Sequence, residues 1–268
     1  MDARSLIHAA SQWIPFAART VAYGTVSLAL GPLTADHRAS LWAMRNWSRS
    51  SARGLDIDVE PIDLHNVPPP PFVYACNHQS LLDVLVLGGA LPHDFKWAAK
   101  RSLMKIPFLG WHLQLAGHVP VDRRSGSRAA AEVVRKFVEV LEQGKPLLVF
   151  PEGTRSEDGI VRAFKNGGFY AAQRAGVPVV PVALEGTHRL MRKGEIGTGR
   201  GKIPVKVGKP ILPRKGMKVT ELRDLTHEAV VELHRSIGGY APDIIPPNPL
   251  DRHDSRDSQG RSQDSAAA

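Results

Sequence analysis

The stretch FVYACNHQSLLDVLVLGGA, residues 72–90, contains the pattern that decides the fold. Phe72–Cys76 is a short apolar run, typical of a buried strand, and Ser80–Ala90 is a strongly apolar segment of helical length. The polar residues Asn77-His78-Gln79 lie between the two. A buried strand that leads into a helix is the unit from which α/β sheets are built, and ligands collect where such strands end.

The same alternation continues on both sides of this stretch. Further strands are predicted at Leu55–Glu60, Phe95–Ala99, Gly117–Val121, Leu147–Phe150, Val179–Leu184 and Ile203–Val207. Further helices are predicted within Ser102–Leu115 after Pro107, and at Gly126–Gln143, Lys165–Ala175 and Val219–Ser236. We therefore expect an α/β domain over residues 55–241, with a central, largely parallel or mixed sheet flanked by helices.

Composition sets the class of protein. The chain has 268 residues, of which 43% are hydrophobic and 23% charged, as in globular proteins. The single cysteine, Cys76, excludes an internal disulfide and is expected to be a buried small residue rather than a nucleophile. Residues 242–268 are rich in Pro, Ser, Asp and Arg and are predicted to be a disordered tail.

Residues 1–54 are predicted to form an N-terminal helical segment that associates with a membrane. Arg19 divides the apolar sequence into pieces shorter than the roughly 20 residues that a membrane span needs, and no clean signal peptide is present. We expect instead a pair of interfacial helices separated at Gly31-Pro32. Asp36 is the predicted cap of the second helix and Gly54 its end.

The second of these helices combines basic and aromatic side chains. Four arginines at spacings of one helical face carry the charge, and two tryptophans can act as amphipathic anchors: Arg38, Arg45, Arg49 and Arg53, with Trp42 and Trp47. This combination suits an anionic headgroup surface. The alternative is a solvated basic face with the tryptophans in the core.

A histidine follows the predicted strand Phe72–Cys76. His78 is well placed for work as a general base, because the pKa of a free imidazole lies near neutrality. Asp83 could hold the imidazole by its other ring nitrogen and stabilise the imidazolium that forms. The alternative is that Ser80 and Asp83 form a capping box, so that Asp83 only stabilises a helix N-terminus.

A second polar turn, Pro151–Ser156, follows another predicted strand. Gly153 permits a tight turn, Thr154 can donate through its hydroxyl, and Arg155 presents a fork suited to bidentate phosphate binding. The alternative is a turn stabilised by an ion pair between Glu152 and Arg155. Two nearby basic clusters are, singly, typical of solvated faces: Lys96, Lys100, Arg101 and Lys105, and Asp122-Arg123-Arg124.

Together and in this order, these segments closely resemble the 1-acyl-sn-glycerol-3-phosphate acyltransferase family of glycerolipid acyltransferases. The resemblance covers roughly residues 72–184, and FPEGTRS is its most specific block. The matching blocks are N-H-x4-D at Asn77–Asp83, KRSLMKIPFLGW at Lys100–Trp111, GHVPVDR at Gly117–Arg123, FPEGTRS at Phe150–Ser156 with Phe164–Gly167 after it, and VPVVPVAL at Val177–Leu184. The HHxxxD motif of another acyltransferase class is not met, since Asn77 precedes His78.

The resemblance implies acyl transfer from acyl-CoA or acyl-carrier protein to the sn-2 hydroxyl of 1-acyl-sn-glycerol 3-phosphate, giving phosphatidic acid. His78 would remove the hydroxyl proton, Asp83 would orient His78, and the alkoxide would attack the thioester without an acyl-enzyme. The implied contacts to phosphate and glycerol are Glu152, Gly153, Thr154 and Arg155, with Arg123 and Lys100 as further candidates. VPVVPVAL would be a buried strand that shapes the acyl site, and no metal or cofactor is required.

The implied partners are a lysophospholipid, an acyl thioester, acyl-carrier protein as an alternative donor, and an anionic membrane surface. The expected location is the cytoplasmic face of the inner or plasma membrane. Glycerol 3-phosphate, another lysophospholipid or a lyso-ornithine lipid remain open as acceptors, as does a non-enzymatic lipid- or nucleic-acid-binding protein. Nucleic acid is disfavoured, because the sequence lacks the motifs of nucleic-acid-binding domains.

The excess charge, a formal +9, favours phosphate-bearing partners and is concentrated in two places. Ten of the 35 Lys and Arg residues lie between Thr187 and Lys218, where Glu195 is the one acidic residue. Residues 1–54 contain six arginines against two aspartates. We expect both regions to serve anionic headgroups or phosphorylated substrates, CoA included.

Overall fold

A computed structural model describes residues 3–34, 38–121, 127–192 and 197–240. The seven strands are β1 (Ile57–Ile62), β2 (Val73–Cys76), β3 (Lys96–Lys100), β4 (Val119–Val121), β5 (Leu147–Val149), β6 (Val179–Leu184) and β7 (Gly201–Val207). The α-helices are α1 (Ala3–Leu30), α2 (Arg38–Gly54), α3 (Asp83–Ala90), α4 (Leu109–Leu115), α5 (Ser127–Glu142), α6 (Gly167–Ala175), α7 (Thr187–Leu190) and α8 (Val219–Ser236). The predicted cap Asp36, the predicted phosphate contact Arg123 and the predicted tail 242–268 lie outside the described residues.

The strands form one mixed sheet in the order β1-β7-β6-β2-β5-β3-β4, which confirms the predicted α/β architecture. Neighbouring strands run parallel, except that β6 and β7 are antiparallel. Val73 of β2 is in register with Leu147 of β5 and with Val179 of β6. The carboxyl ends of these three strands therefore meet at one edge, which is where ligands bind in such sheets.

The central strand β2 is buried on both faces. Phe72, Tyr74 and Cys76 pack in one hydrophobic core, and Val73 and Ala75 pack in the core on the opposite face. This is why the strand reads as a continuous apolar run rather than as an alternating one. Cys76 is fully buried as predicted, and burial raises the pKa of its thiol well above the ordinary value, so it is not a nucleophile near neutral pH.

The two N-terminal helices break where the sequence predicts. α1 runs for 28 residues through Pro15 and Arg19, and a short 3-10 helix at Gly31–Leu33 follows it. α2 ends at Gly54. None of the described helices combines the length and the apolar character that crossing a membrane requires.

Two arginines of the basic face of α2 hold this helix to the rest of the protein. Arg45 Nη2 donates to the Pro92 carbonyl at 2.7 Å and lies 3.4 Å from Asp94 Oδ1. Arg49 Nε donates to the Gly89 carbonyl at 3.0 Å. These contacts anchor α2 to the last turn of α3 and to the segment that follows it, so only part of the predicted basic face remains open to a partner.

One predicted helix begins later than expected, and another begins after a proline, as predicted. The segment Ser80–Ala90 becomes helical only at Asp83, because the preceding backbone N–H groups bond to the Asp83 side chain instead. The segment Ser102–Leu115 is split into a 3-10 helix, Arg101–Lys105, and α4. Pro107 separates them. Phe108, the next residue, has a φ of 60°, which lies outside the range of a right-handed helix.

One basic cluster departs from the predicted solvated face. Lys96 is buried, and its Nζ donates to the Ala116 carbonyl at 2.5 Å, whereas Lys100, Arg101 and Lys105 are exposed. Burial lowers the pKa of Lys96 to about 8. As the first residue of β3, Lys96 therefore holds the segment after α4 against the strand, at the end of the strand opposite to the carboxyl edge where ligands bind.

Candidate active site

His78 lies at the carboxyl end of β2 with its imidazole fixed on two sides. Its Nδ1 is 2.7 Å from Asp83 Oδ2, and its ring stacks on Phe150, the residue directly after β5, with centroids 4.0 Å apart. His78 is 6% exposed and Asp83 is fully buried. Because a carboxylate only accepts hydrogen bonds, Nδ1 donates, and Nε2 is the nitrogen that remains to take a proton.

The carboxylate of Asp83 is held by four donors. Oδ2 accepts from His78 Nδ1, from Gln79 N at 2.7 Å and from Ser80 N at 3.0 Å, while Oδ1 accepts from Thr187 Oγ1 at 2.5 Å. The bond from Ser80 N resembles that of a capping box, and the same oxygen contacts the imidazole, so a capping contact and a contact with His78 do not exclude each other. Oδ2 accepts from both the helix start and the imidazole, and Oδ1 accepts from Thr187. The sequence did not indicate the contact with Thr187.

Asn77 fixes the start of this segment to the neighbouring strand. Its Nδ2 donates to the Leu184 carbonyl at 2.9 Å, and its Oδ1 accepts from Leu184 N at 3.0 Å. The side-chain amide thus continues the pairing of β2 with β6 by one residue. An imidazole at this position could not offer a donor and an acceptor in that arrangement, which gives a physical reason for Asn before His78.

Glu152 connects the polar turn Pro151–Ser156 to His78. Its Oε1 accepts from His78 N at 2.8 Å and its Oε2 from Arg162 N at 3.2 Å, while Ser156 N donates to the His78 carbonyl at 2.8 Å. The carboxylate is thus bonded to backbone N–H groups rather than to the Arg155 guanidinium. Burial raises the pKa of Glu152 to about 8, although both N–H bonds favour the charged form.

Glu152→Gln is expected to flatten the pH dependence of stability. The folded protein keeps a proton on Glu152 that the unfolded chain has lost, so the free energy of unfolding falls as pH rises from about 5 to about 8. The wild type should lose on the order of 3 kcal/mol more than the variant over this range. Urea unfolding at pH 5, 6.5 and 8 measures the free energy of unfolding of both proteins. Glu142→Gln, at an exposed position, is the control. An equal change of this free energy with pH in the wild type and in Glu152→Gln would contradict the expectation.

Cationic side chains surround the turn. Gly153 has a φ of 72°, and a Cβ built there would lie 2.7 Å from Lys165 Nζ, so the Lys165 ammonium lies against the turn. Arg155 is half-buried, and Lys165 and Thr154 are exposed. Lys100 is exposed at the carboxyl end of β3. The sequence blocks included Lys165 without assigning it a role, and the fold places its ammonium beside Gly153.

A region behind the pair contains side chains that sequence reasoning missed. Gln79, Glu185, Thr187 and His234 are all buried, and hydrogen bonds connect them. Glu185 directly follows VPVVPVAL, which is a positional signal. His234 lies on α8, far along the chain, and nothing in its spacing indicates its partner.

A buried His–Asp pair therefore lies beside a glycine turn that carries cationic side chains. Comparison with known proteins assigns the class: residues 58–185 match the family model described as Acyltransferase. Both the His78 segment and the Pro151–Ser156 turn lie inside the matched range.

Relatives and a solved structure specify the family. The chain is 31% identical over 239 residues to the 1-acyl-sn-glycerol-3-phosphate acyltransferase of Saccharomyces cerevisiae, covering 85% of this chain and 78% of the yeast protein. Its fold matches the crystal structure of the 1-acyl-sn-glycerophosphate acyltransferase from Thermotoga maritima, with a TM-score of 0.77, 30% identity and coverage of 89% and 98%. The chain therefore belongs to the 1-acyl-sn-glycerol-3-phosphate acyltransferase family.

Other relatives are longer than this chain. The 1-acyl-sn-glycerol-3-phosphate acyltransferase of Chlamydomonas reinhardtii is 39% identical over 189 residues, which cover 69% of this chain and 56% of the algal protein. The chain spans about half the length of the chloroplast relatives from Arabidopsis thaliana and Brassica napus, 47% and 48% respectively.

Proposed function

We propose that the protein transfers an acyl group from an acyl thioester to the sn-2 hydroxyl of 1-acyl-sn-glycerol 3-phosphate, giving phosphatidic acid. The observation that carries this proposal is the buried His78, whose Nδ1 is held by Asp83 beside the Pro151–Ser156 turn. A general base and an anion-binding turn at the same sheet edge suit an acceptor that carries a hydroxyl and a phosphate. Membership of the family supports the same acceptor.

In the proposed reaction, His78 Nε2 takes the proton of the sn-2 hydroxyl as its oxygen attacks the thioester carbonyl. The C–O bond forms, the C–S bond breaks, and the proton passes from His78 to the departing thiolate. Asp83 stabilises the imidazolium between these steps. Because Nδ1 is bonded to Asp83, Nε2 alone takes the proton from the acceptor and then gives it to the leaving thiolate. This agrees with direct transfer without an acyl-enzyme.

The phosphate of the acceptor is proposed to bind at the Pro151–Ser156 turn. Arg155 offers two parallel donors, and Thr154, the Gly153 backbone and Lys165 lie beside it. Glu152 is proposed to hold this turn on the backbone of His78, so its predicted contact with substrate is an indirect one. Lys100 remains a predicted phosphate contact, as does Arg123.

Arg155→Ala is expected to raise the KM for 1-acyl-sn-glycerol 3-phosphate about 10- to 100-fold, because a charge-assisted bidentate contact is lost. Arg155→Lys should give an intermediate value, since a lysine restores the charge but not the fork. Steady-state kinetics with varied acceptor measures both. With 1-acylglycerol, which lacks the phosphate, the variants should match the wild type, and an unchanged KM for the phosphorylated acceptor would contradict the placement.

A panel of acceptors tests the proposed function itself. Purified protein is assayed with acyl-CoA and, in turn, 1-acyl-sn-glycerol 3-phosphate, glycerol 3-phosphate, another lysophospholipid and a lyso-ornithine lipid. We expect the highest kcat/KM with the first. A higher value with another acceptor would reassign the substrate, and no transfer to any of them would remove the enzymatic proposal.

We also propose that α1 and α2 lie on an anionic membrane surface, at the cytoplasmic face of the inner or plasma membrane. Ile7 and Ile14, 70% and 69% exposed, share one face of α1 with the exposed Val21. Trp42 of α2 is 56% exposed. Apolar side chains presented in a row beside a tryptophan suit the headgroup region of a bilayer.

Ile14→Asp is expected to lower the fraction of protein bound to liposomes severalfold, because a charge replaces apolar surface that would enter the bilayer. Flotation with vesicles containing an anionic lipid measures it. The control is Tyr170→Asp, which places the same charge at an exposed aromatic residue on α6, outside these helices and outside the basic segment 187–218. Equal binding of Ile14→Asp and the wild type would contradict the proposed face.

The basic segment 187–218 is proposed to contact headgroups or the phosphates of CoA through its unpaired part. Arg189 and Lys202 already form ion pairs with Glu185 and Glu60. Exposed members without such an ion pair among the described residues remain for this contact: Arg200, Lys209, Arg214, Lys215 and Lys218. Acyl-carrier protein, as an alternative donor, would meet the same charges.

A further inference from the structure

A second histidine–carboxylate pair is buried behind the His78–Asp83 pair. His234 Nε2, on α8, lies 2.6 Å from Glu185 Oε2, directly after β6. His234 is fully buried, and the Glu185 carboxylate is nearly so. Taking two ionisable groups out of water is costly and is weak support for stability alone, so this pair calls for another role.

Gln79 joins the two pairs. Its Nε2 donates to Glu185 Oε2 at 2.8 Å and to the Gly159 carbonyl at 3.1 Å, and its Oε1 accepts from Gly186 N at 3.0 Å. The backbone N of the same residue donates to Asp83 Oδ2 at 2.7 Å. The residue that holds the Asp83 carboxylate is therefore itself held by Glu185.

The position of His234 is specific. Its Nε2 lies 3.0 Å from Gln79 Nε2, so both nitrogens direct donors at the same Glu185 oxygen. A Cβ built at Gly239 would lie 2.2 Å from the His234 ring, so the glycine leaves room for the imidazole. The His234 ring thus has one packed orientation, in which Nε2 faces Glu185.

Glu185 is charged in this setting. Burial works to raise its pKa, but hydrogen bonds from His234 and Gln79, with the charges of His234 and Arg189, lower the pKa to about 2. A buried carboxylate that loses one of its donors must find another or rearrange. Without His234, the donors left to this carboxylate are the Gln79 amide at Oε2 and Arg189 Nη1 at Oε1, and Gln79 is the one that shares the oxygen His234 binds.

From these contacts we infer that His234 is a positioning residue for the His78–Asp83 pair, acting through Glu185 and Gln79. By holding the Glu185 carboxylate, His234 fixes the Gln79 side chain and with it the backbone N–H that orients Asp83. The inference rests on the proposed role of His78 as the general base. It assigns to α8, outside the sequence blocks of the family resemblance, a part in the reaction.

A double-mutant cycle tests the connection. His234→Leu, which keeps bulk but removes the donor, should lower kcat about tenfold, and Gln79→Leu about 30- to 100-fold. KM for both substrates should stay within about twofold, since no substrate contact is lost. The double variant should resemble Gln79→Leu within about twofold, because His234 acts through Gln79. Additive losses would overturn the inference.

Two further variants separate positioning from folding. His234→Gln keeps a donor toward Glu185 and should retain kcat within about threefold of the wild type. Val230→Ala removes core packing from the same helix, one turn earlier, and should lower the melting temperature without lowering kcat. Equal losses of kcat in His234→Gln and His234→Leu, or a loss in Val230→Ala as large as in His234→Leu, would make the role structural and overturn the inference.

A spectroscopic readout keeps the inference independent of the substrate. In ¹⁵N-histidine-labelled protein, the Nδ1–H proton of His78 reports its bond to Asp83, and His78→Ala assigns the signal. The signal should shift or broaden in His234→Leu and return in His234→Gln. An unchanged signal would refute the coupling even if the wild type proves active. A changed signal in a protein without acyl transfer would support the coupling while the proposed function fails.

Discussion

Replacing His78 by alanine should lower kcat for acyl transfer by about 10³-fold and leave the fold intact. Its Nε2 is the proposed proton acceptor, and a positioned general base contributes about 10²- to 10⁴-fold. The substitution removes one of the four donors to Asp83 and the stacking on Phe150, but none of the backbone bonds of the segment. The loss should therefore fall on catalysis rather than on stability.

The His78→Ala measurement is the rate of phosphatidic acid formation by purified protein with saturating substrates. Liposome binding, measured on the same preparation, should match the wild type, and thermal unfolding should show a protein that is fully folded at the assay temperature. The control is His65→Ala, which removes an exposed histidine and should keep full activity. A His78→Ala protein that retains more than about a tenth of the wild-type kcat would remove His78 from the role of base.

Asp83→Asn should lower kcat by about 10³-fold, because the negative charge that stabilises the imidazolium is lost. The asparagine oxygen can still accept from His78, Gln79 and Ser80, and its amide can donate to the Thr187 hydroxyl, which accepts equally well. The segment should thus keep its shape and the imidazole its tautomer. The loss of kcat in Asp83→Asn then reports the effect of the negative charge rather than of a change in geometry.

Kinetics and thermal unfolding together decide the role of Asp83. A melting temperature close to that of the wild type with the expected loss of kcat identifies a catalytic charge. A large loss of stability with nearly normal kcat would instead make Asp83 a helix cap alone. Asp58→Asn, at an exposed position on β1, controls for the change of net charge.

The elements that the sequence predicted are those whose pattern is local. β2, β5 and β6 are apolar runs because they are buried on both faces, so they are visible without knowledge of their neighbours. α8 has helical apolar spacing along its full length and was predicted with the observed bounds. His78 and Asp83 could be named because one strand end and the following helix start bring them together.

The parts that the sequence did not reveal depend on contacts between distant segments. Thr187 meets Asp83, and His234 meets Glu185, only because β6 pairs with β2 and α8 packs on that side of the sheet. In the sequence, Lys96 is one more lysine of a basic cluster; it is buried because the segment after α4, residues 116–118, packs against the start of β3. Spacing along the chain contains no information about such pairs.

The most direct test of the account is a rapid-quench experiment with wild-type protein and acyl-CoA, with and without 1-acyl-sn-glycerol 3-phosphate. Direct transfer with His78 as the base predicts no release of CoA and no gain in protein mass until the acceptor is present. Phosphatidic acid and CoA should then appear in equal amounts. A burst of CoA with an acylated protein in the absence of acceptor, or no phosphatidic acid in its presence, would contradict the account.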